Sequence, residues 1–318
     1  HLKNPAWGYI ASANNKSTVK PVGAVKDLQG YWQPTDRAGR IEAMVEQRSD
    51  WTIEAMKAAQ VDNTATAAEM IIPIVLPAVK DAGPLSPLEQ EALARLREWD
   101  HVQDVDSVGA TVYQGLIDEL FKHALLDEMD PKLLQVYRSV ADSWNFFKWF
   151  MQTPESLFWD NLDTETRETR TRIIGAAFKA TVAGLAGKLG SDVDTWTWGR
   201  VHTLEFRHPF GYLPGLGRIF NIGPFPAAGG NRIVNNMLYV GGDCEYDVIG
   251  GPSTRRLIDY ADPEHSLTVL PTGNSGRFTS PHYDDQAEMF INGEYREPRF
   301  TKTQIEAHAE HTLTLEPR

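Results

Sequence analysis

Two adjacent asparagines and a later arginine are the side chains of this sequence best placed for acyl-transfer chemistry. Asn14 and Asn15 follow a short extended stretch at residues 8–12, and Arg37 stands where a helix is predicted to begin. Asparagine in such a place is usually a turn former. Its side-chain N–H is also a good donor to the oxyanion that develops during acyl transfer. The residue pattern by itself leaves both roles open.

Two other features suggest a nucleophile, and the pattern argues against both. Residues 272–276 (TGNSG) resemble the serine elbow of hydrolases, but Arg277 stands where the second glycine of that motif belongs. Cys244 is the single cysteine, beside nine histidines that are candidate partners for a thiol dyad. A lone cysteine is most often an inert packing residue. It also excludes a disulfide within the chain.

Signals for a metal or a cofactor are weak. His282 lies close to Asp284 and Asp285 in the sequence, but adjacent side chains at a helix start point in different directions, and the two carboxylates favour the helix dipole. His202 and His208 fit one face of a strand, yet no third ligand is evident. No glycine-rich phosphate or dinucleotide loop is present. We therefore interpret the histidines as structural and expect no cofactor for the chemistry.

Three stretches of different character must position these residues. Residues 1–35 are loop-like, residues 36–190 have apolar residues at helical spacing, and residues 191–318 are rich in glycine and proline with short strand-like runs. Helices followed by strands predict an α+β fold, with the strands completing a sheet begun elsewhere.

Local signals predict the individual elements. Ser86, Pro87 and Glu89 are typical of a helix start, and Gly190 of a helix end. The aromatic residues between 144 and 150 predict helix packing rather than a cofactor pocket. The predicted helices cover residues 38–46, 52–59, 66–79, 87–99, 111–129, 131–152, 165–189 and 284–291. The predicted strands cover residues 201–206, 247–249, 255–258 and 266–270, and a short helix and a strand end the chain.

The charge balance bears on the partners of the protein. The 318 residues carry a formal net charge of −12, so the basic field that a nucleic acid or an anionic membrane requires is absent at the level of the whole chain. The longest apolar run, residues 70–79, is interrupted by Pro73 and Pro77 and is too short to span a bilayer. We expect neither nucleic acid nor a membrane as a partner.

Motifs spread along nearly the whole chain, taken together in order and spacing, resemble the penicillin acylase (penicillin amidase) family of N-terminal nucleophile hydrolases. They are residues 8–10 with 14–15, 36–37 with 40–41, 99–100, 198–202, 206–209, 229–231 with 234–236, 270–276, 280–286 and 293–296.

The resemblance implies a place in a known architecture. It identifies the chain as the C-terminal part of the large (β) subunit of a four-layer αββα fold. Residues 1–35 would supply an active-site loop and strand segment, residues 36–190 a large helical insertion, and residues 191–318 an α/β segment whose strands complete the core sheets.

The resemblance also implies a mechanism. In such enzymes a precursor cuts itself to expose Ser, Thr or Cys at the N-terminus of the large subunit, and the free α-amine serves as the base. By this pattern Asn14 donates to the oxyanion. Arg37 orients that asparagine and the nucleophile's amine, and its charge helps to keep the amine unprotonated. Asp27 lies at the place of a calcium-binding carboxylate, so a structural calcium ion is expected.

The expected nucleophile is not in this chain. The sequence begins with His1, and only thirteen residues precede Asn14, whereas the family places the nucleophile far upstream. We therefore expect activity only together with the N-terminal part of the large subunit and the small subunit. The expected reaction cleaves a small N-acyl amide to a carboxylate and an amine, and the expected location is the periplasm or the exterior.

Two alternatives stay open. One is an acyl-homoserine-lactone acylase, which lies in the same class. The other is a binding or scaffold protein that kept the fold without the chemistry. The joint presence of Asn14 and Arg37 favours an enzyme.

Overall fold

The computed structural model describes residues 3–18 and 20–317, so the expectation about His1 lies outside the described residues. The chain forms two compact units that alternate along the sequence. The first unit contains the chain up to residue 50 with residues 61–206 and 223–251, and the second contains residues 51–60, 207–222 and those from 252 onward. The three-part division of the sequence follows composition rather than these units and stays a prediction.

Helices dominate the part of the chain that the structure describes. They are α1 (Asp36–Glu46), α2 (Ile53–Gln60), α3 (Ala68–Asp81), α4 (Pro87–Glu98), α5 (Val108–Leu125), α6 (Pro131–Arg138), α7 (Ala141–Gln152), α8 (Arg170–Leu189), α9 (Gly217–Phe220), α10 (Ala287–Ile291) and α11 (Lys302–His308). Short 3-10 turns lie at Leu157–Trp159, Val193–Thr195, Trp198–Arg200, Pro209–Tyr212 and Pro263–His265.

The core of the first unit is built around α5. This helix buries most of its side chains and packs against α4 and α8, while α3 packs against α8. Trp144, Phe147 and Phe150 on α7 enter the same core, as helix packing predicts, whereas Trp149 is exposed. The aromatic run therefore serves mainly to fix α7, which carries one wall of the cleft described below.

The helix signals in the sequence have the expected atomic basis. The Ser86 hydroxyl accepts a hydrogen bond from the Glu89 N–H (3.3 Å), and the Glu89 carboxylate accepts one from the Ser86 N–H (2.7 Å), which is a complete capping box. At the end of α8, Gly190 has φ +91°, a conformation that favours glycine.

The helix predicted over residues 131–152 is interrupted and forms α6 and α7. Val140 has extended backbone angles. The hydroxyls of Ser139 and Ser143 bond to the carbonyl oxygens of Val136 (2.6 Å) and Val140 (2.7 Å). Such local bonds compete with the helical ladder. Apolar spacing continues across the break and therefore does not reveal it.

Two prolines lie inside α3 without ending it. Pro73 and Pro77 are four residues apart and exposed, so both rings lie on the solvent side, while Ile71, Ile72 and Val75 are buried. Among the described residues, no helix is both long and apolar enough to cross a bilayer.

Within residues 3–18 and 20–317, six short strands form two-stranded sheets. They are β1 (Thr203–Phe206), β2 (Ile222–Pro226), β3 (Leu238–Tyr239), β4 (Val248–Gly250), β5 (Arg255–Leu257) and β6 (Leu267–Val269). β1 pairs with β2, and β3 pairs with β4 in antiparallel fashion. In the second unit β5 and β6 are antiparallel, with Arg256 opposite Thr268. That these strands complete larger sheets remains a prediction.

The second unit joins distant parts of the sequence. The Gln60 side chain at the end of α2 donates to the Arg256 carbonyl (3.0 Å) and accepts from the Tyr295 hydroxyl (2.6 Å). The Arg255 guanidinium lies 4.2 Å from the centre of the Phe290 ring. Residues 309–317 form no strand, so the strand predicted at the chain end is wrong.

Two glycines of α8 give a matched test of helix packing. A Cβ at Gly175 would lie 2.2 Å from the Ala82 Cβ, whereas a Cβ at the exposed Gly187 would meet nothing within 4 Å. We expect Gly175→Ala to lower the free energy of unfolding by about 1–3 kcal/mol through overpacking. Gly187→Ala should raise it by about 0.5–1 kcal/mol, because alanine favours a helix. Urea denaturation of both variants checks the opposite signs, and the same sign for both would contradict this packing.

Candidate active site

Asn14 and Arg37 are brought together in the first unit. The Arg37 Nη2 donates to the Asn14 Oδ1 (2.7 Å) and to the Ala13 carbonyl oxygen (2.9 Å). Because arginine has only donors, the amide oxygen of Asn14 must face Arg37, which leaves Nδ2 on the other side. Within the described residues, Nδ2 makes no hydrogen bond. This amide is therefore oriented to offer its N–H groups to an external acceptor.

The loop between these residues is held at both ends. The Gln33 N–H donates to the Asn14 carbonyl oxygen (2.9 Å), which closes the loop from residue 14 to residue 33. The Asn15 Oδ1 accepts from the Ala13 N–H (3.1 Å) as an ordinary turn former. Asn14 has φ +62°, a conformation that asparagine tolerates better than most residues. The two neighbouring asparagines thus have different roles, one in the turn and one facing Arg37.

Helix α1 carries Arg37 and is fixed at its first turn. The buried Asp36 carboxylate accepts from the Trp144 Nε1 (3.2 Å) and the Lys148 Nζ (2.8 Å), both on α7. One turn further, the Arg40 guanidinium makes a two-pronged ion pair with Asp62, with a shortest distance of 2.6 Å. Arg37 therefore projects from a helix that is tied to the unit on two sides.

The Arg37 side chain is partly buried from solvent. Its two acceptors are neutral oxygens, and burial lowers the pKa of its guanidinium below the ordinary range of arginine. The group is still charged at neutral pH, since arginine does not lose its proton in proteins. Among the described residues this positive charge has no carboxylate partner, so it favours negative charge developing nearby, which the formation of an oxyanion provides.

Both residues line an open cleft of the first unit with a volume of about 840 Å³. Its apolar walls come largely from α5, α6, α7 and the segment around β3, with Tyr113, Ile117, Phe121, Leu134 and Trp144 among the lining side chains. Such a mixture of aromatic and aliphatic walls with a few polar groups suits a small organic ligand.

Asp27 is not assembled into a cluster of ligands. Its carboxylate is exposed and accepts from the Lys16 Nζ (2.9 Å) and the Gln29 Nε2 (2.7 Å), and the ammonium of Lys16 lowers the pKa of this carboxyl. In residues 3–18 and 20–317, no three acidic, histidine or cysteine side chains lie together as a metal site would require. Calcium ligation prefers six to eight oxygen ligands, so the residues around Asp27 do not fit calcium by themselves. The calcium assignment stays a prediction.

The other sequence candidates make structural contacts. His202 is fully buried, with its ring nitrogens 2.6 Å from the Ala227 carbonyl oxygen and 3.3 Å from that of Met237. Burial lowers its pKa. Cys244 is buried too, and the loss of hydration raises the pKa of its thiol to about 11, which disfavours the thiolate that a dyad needs.

The two glycine- and histidine-containing motifs near the C-terminus bind each other. The N–H groups of Gly273 and Ser275 donate to the carbonyl oxygens of Tyr283 and His282, both at 2.9 Å. A Cβ at Gly273 would lie 2.0 Å from the His282 oxygen. His282 itself pairs with Asp285 (2.9 Å). The serine of the elbow-like segment thus belongs to a loop contact within the second unit.

The sequence did not predict the contribution of residues 229–236 to this site, nor that of Arg232 within them. The Asn235 N–H donates to the Asp62 carbonyl oxygen (3.0 Å), which links residues 229–236 to the partner of Arg40. Within the same stretch, Arg232 lines the cleft and stacks on Trp144. The motif resemblance includes the residues around Arg232 but gives no signal for the arginine itself.

The architecture is that of the penicillin acylases. A thermostable penicillin G acylase from Alcaligenes faecalis superimposes with a TM-score of 0.63 over 99% of this chain and 58% of that chain, at 15% sequence identity. This confirms the predicted α+β, N-terminal-nucleophile hydrolase fold. The sequence model of the penicillin amidase family matches residues 1–307. The chain therefore belongs to the penicillin amidase family.

Curated relatives lie in the same family. The chain is 25% identical over 347 residues to the acyl-homoserine lactone acylase QuiP of Pseudomonas aeruginosa and 26% identical over 337 residues to QuiP of Pseudomonas syringae pv. syringae. Each alignment covers 99% of this chain and 40% of the relative. The chain thus spans less than half the length of these curated relatives.

Proposed function

We propose that this chain is part of an N-acyl amide hydrolase that cleaves its substrate to a carboxylate and an amine through an acyl-enzyme. The observation that carries the proposal is the 2.7 Å bond from Arg37 to the Asn14 Oδ1, since it turns the amide nitrogen toward an incoming acceptor. The attacking Ser, Thr or Cys, the second oxyanion donor and the small subunit belong to other parts of the enzyme. Membership of the penicillin amidase family supports this division.

Each residue has a defined role in the proposed reaction. When the nucleophile attacks the substrate carbonyl, negative charge develops on the carbonyl oxygen, and the Asn14 Nδ2–H donates to it. Arg37 holds the opposite end of that amide and adds positive charge next to the nucleophile's amine, which keeps the amine unprotonated and able to act as base. The apolar side of the cleft contributes to the surroundings of the acyl group. The proposed location remains the periplasm or the exterior.

A second candidate within the class is an acyl-homoserine lactone acylase. The names of the curated relatives favour it. Phenylacetyl amides and acyl-homoserine lactones are therefore the two substrate classes to compare first.

The test is expression of the complete reading frame, followed by intact mass spectrometry and N-terminal sequencing of every polypeptide that copurifies with this chain. We expect a second polypeptide or segment that begins with Ser, Thr or Cys, together with hydrolysis of at least one amide from a panel of phenylacetyl and acyl-lactone substrates. The matched control replaces that first residue by alanine and should be inactive. A correctly assembled protein with no hydrolysis of any member would favour the binding or scaffold alternative.

A further inference from the structure

The cleft holds an excess of positive charge although the chain as a whole is acidic. Four cationic side chains line it against two anionic ones, Asp36 and Asp243, in a chain of net charge −12. Two of the four cations have carboxylate partners. Arg138 pairs with Asp118, and Lys122 pairs with Glu119 and Asp243. The other two are Arg37 and Arg232.

Arg232 is the cation that the proposed reaction does not use. Its guanidinium lies 4.6 Å from the centre of the Trp144 ring. The nearby Asp36 carboxylate is already engaged by Trp144 and Lys148. Within the described part of the chain, Arg232 makes no hydrogen bond or ion pair. Burial lowers the pKa of its guanidinium, so its charge carries a desolvation cost that the attraction of the nearby Asp36 carboxylate offsets only in part.

The local structure defines the position of Arg232. Its guanidinium lies over the Trp144 ring, and this contact uses none of its N–H groups as hydrogen-bond donors. The preceding residue, Asn231, makes two bonds with the backbone of Tyr239, at 2.9 and 3.1 Å. Arg232 itself has φ +62°, a conformation that costs energy for a residue of this type. The N–H groups of a guanidinium that lies over a tryptophan ring can donate two parallel hydrogen bonds to a planar anion such as a carboxylate.

We propose that Arg232, stacked on Trp144, is a specificity residue that binds a carboxylate of the small-molecule ligand in this cleft. The inference deepens the proposed function, because it predicts that amides with a free carboxylate are preferred to neutral amides such as lactone amides. The carboxylate sits edge-on against the guanidinium, and the ligand's apolar part lies along the Trp144 side of the cleft.

Binding to the 318-residue chain tests the inference without any turnover. The probes are phenylacetate and hexanoate, each compared with its neutral amide, phenylacetamide or hexanamide, by calorimetry. Fluorine NMR of protein labelled with 5-fluorotryptophan, with the Trp144 signal assigned from Trp144→Phe, reports the place of binding. We expect the carboxylates to bind at least tenfold more tightly than the amides and to shift the Trp144 signal. Equal affinities, or no shift, would overturn the inference.

Variants then identify the residue. Arg232→Gln should weaken carboxylate binding by about tenfold or more, since it removes a charged hydrogen bond, while Arg232→Lys should keep part of it. Arg167→Gln is the matched control, because Arg167 is exposed and does not line the cleft. Equal weakening by both glutamine variants would refute a local role. If Arg232→Gln fails to fold, the carboxylate-to-amide comparison in the unmodified chain still decides.

The complete enzyme separates a ligand carboxylate from one supplied by the protein. If an acidic side chain of the other segments occupied Arg232, phenylacetate would bind the 318-residue chain but not the complete enzyme, and the inference would fail. Arg232-dependent binding in an enzyme that hydrolyses no amide would sink the proposed function and leave the inference standing. Hydrolysis with equal KM for matched acidic and neutral amides would support the proposed function and overturn the inference about Arg232.

Discussion

Replacing Asn14 by alanine in the complete enzyme is expected to lower kcat by about 100-fold or more, with little change in KM. The amide N–H would stabilise charge that exists only in the transition state, so its loss affects the chemical step rather than the binding of the ground state. Steady-state kinetics with the best amide substrate measure both constants.

Asn15→Ala is the matched control for this prediction. It removes the same side chain from the next position, where the amide oxygen bonds the Ala13 N–H and lies outside the proposed oxyanion contact. We expect a loss of less than tenfold. Adding Arg37→Ala to Asn14→Ala should cost much less than Arg37→Ala does alone, because Arg37 acts partly through the amide that is already gone. A near-wild-type rate for Asn14→Ala would remove this residue from the mechanism.

Replacing Arg138 by alanine is expected to lower the free energy of unfolding by about 3–5 kcal/mol at pH 7. Its guanidinium bonds the carboxylate of Asp118 on α5, a side chain only 3% exposed. Without that partner the buried carboxylate loses the cation that contributes most to stabilising its negative charge. Urea denaturation of the chain measures the loss. Arg95→Ala breaks the exposed pair with Asp194 and should cost less than about 1 kcal/mol.

The stability loss caused by Arg138→Ala is expected to depend on pH in a definite direction. Burial raises the pKa of Asp118 in the fold, and the charge of Arg138 opposes that rise. A raised folded pKa means that the stability contributed by the protonated form is present below the ordinary aspartate pKa of about 4 and is lost as the pH rises through the folded value. Removing Arg138 raises the folded pKa further, so the loss should be large at pH 7 and shrink toward pH 4.

Asp118→Asn in the Arg138→Ala background is the internal check. The amide carries no charge, so the double variant should recover much of the stability at pH 7 and lose the added pH dependence. A loss that is equal at every pH, or no recovery in the double variant, would mean that the ion pair is not the cause.

The candidate site could be predicted from the sequence only in part. Asn14 and Arg37 match the motif of a known family, and the fold brings their side chains to 2.7 Å from each other. The different roles of Asn14 and Asn15 depend on which of the two side-chain amides the loop turns toward Arg37. Two identical neighbouring residues in a sequence do not show this. Arg232 carries no signal in the sequence, because its importance lies in the absence, among the described residues, of a carboxylate that forms an ion pair with it, which depends on tertiary packing.

The fold, too, could be predicted from the sequence only in part. Helix starts and ends that depend on neighbouring residues, such as the capping box at Ser86 and the glycine at residue 190, were predicted correctly. The break at Val140 was not, since its hydrogen bonds leave the apolar spacing unchanged. The alternation of the two units was not predicted either, because pairings such as Gln60 with Arg256 join residues 196 positions apart.

That alternation has a consequence for synthesis on the ribosome. Helix α2 belongs to a unit whose strand partners are translated almost two hundred residues later. At about 5–20 residues per second, the bond from Gln60 to Arg256 must wait roughly 10–40 s after α2 is made. Helix α2 therefore lacks its contacts with β5 during that interval. The first unit is interrupted by these same segments, so no single truncation of the gene yields either unit alone.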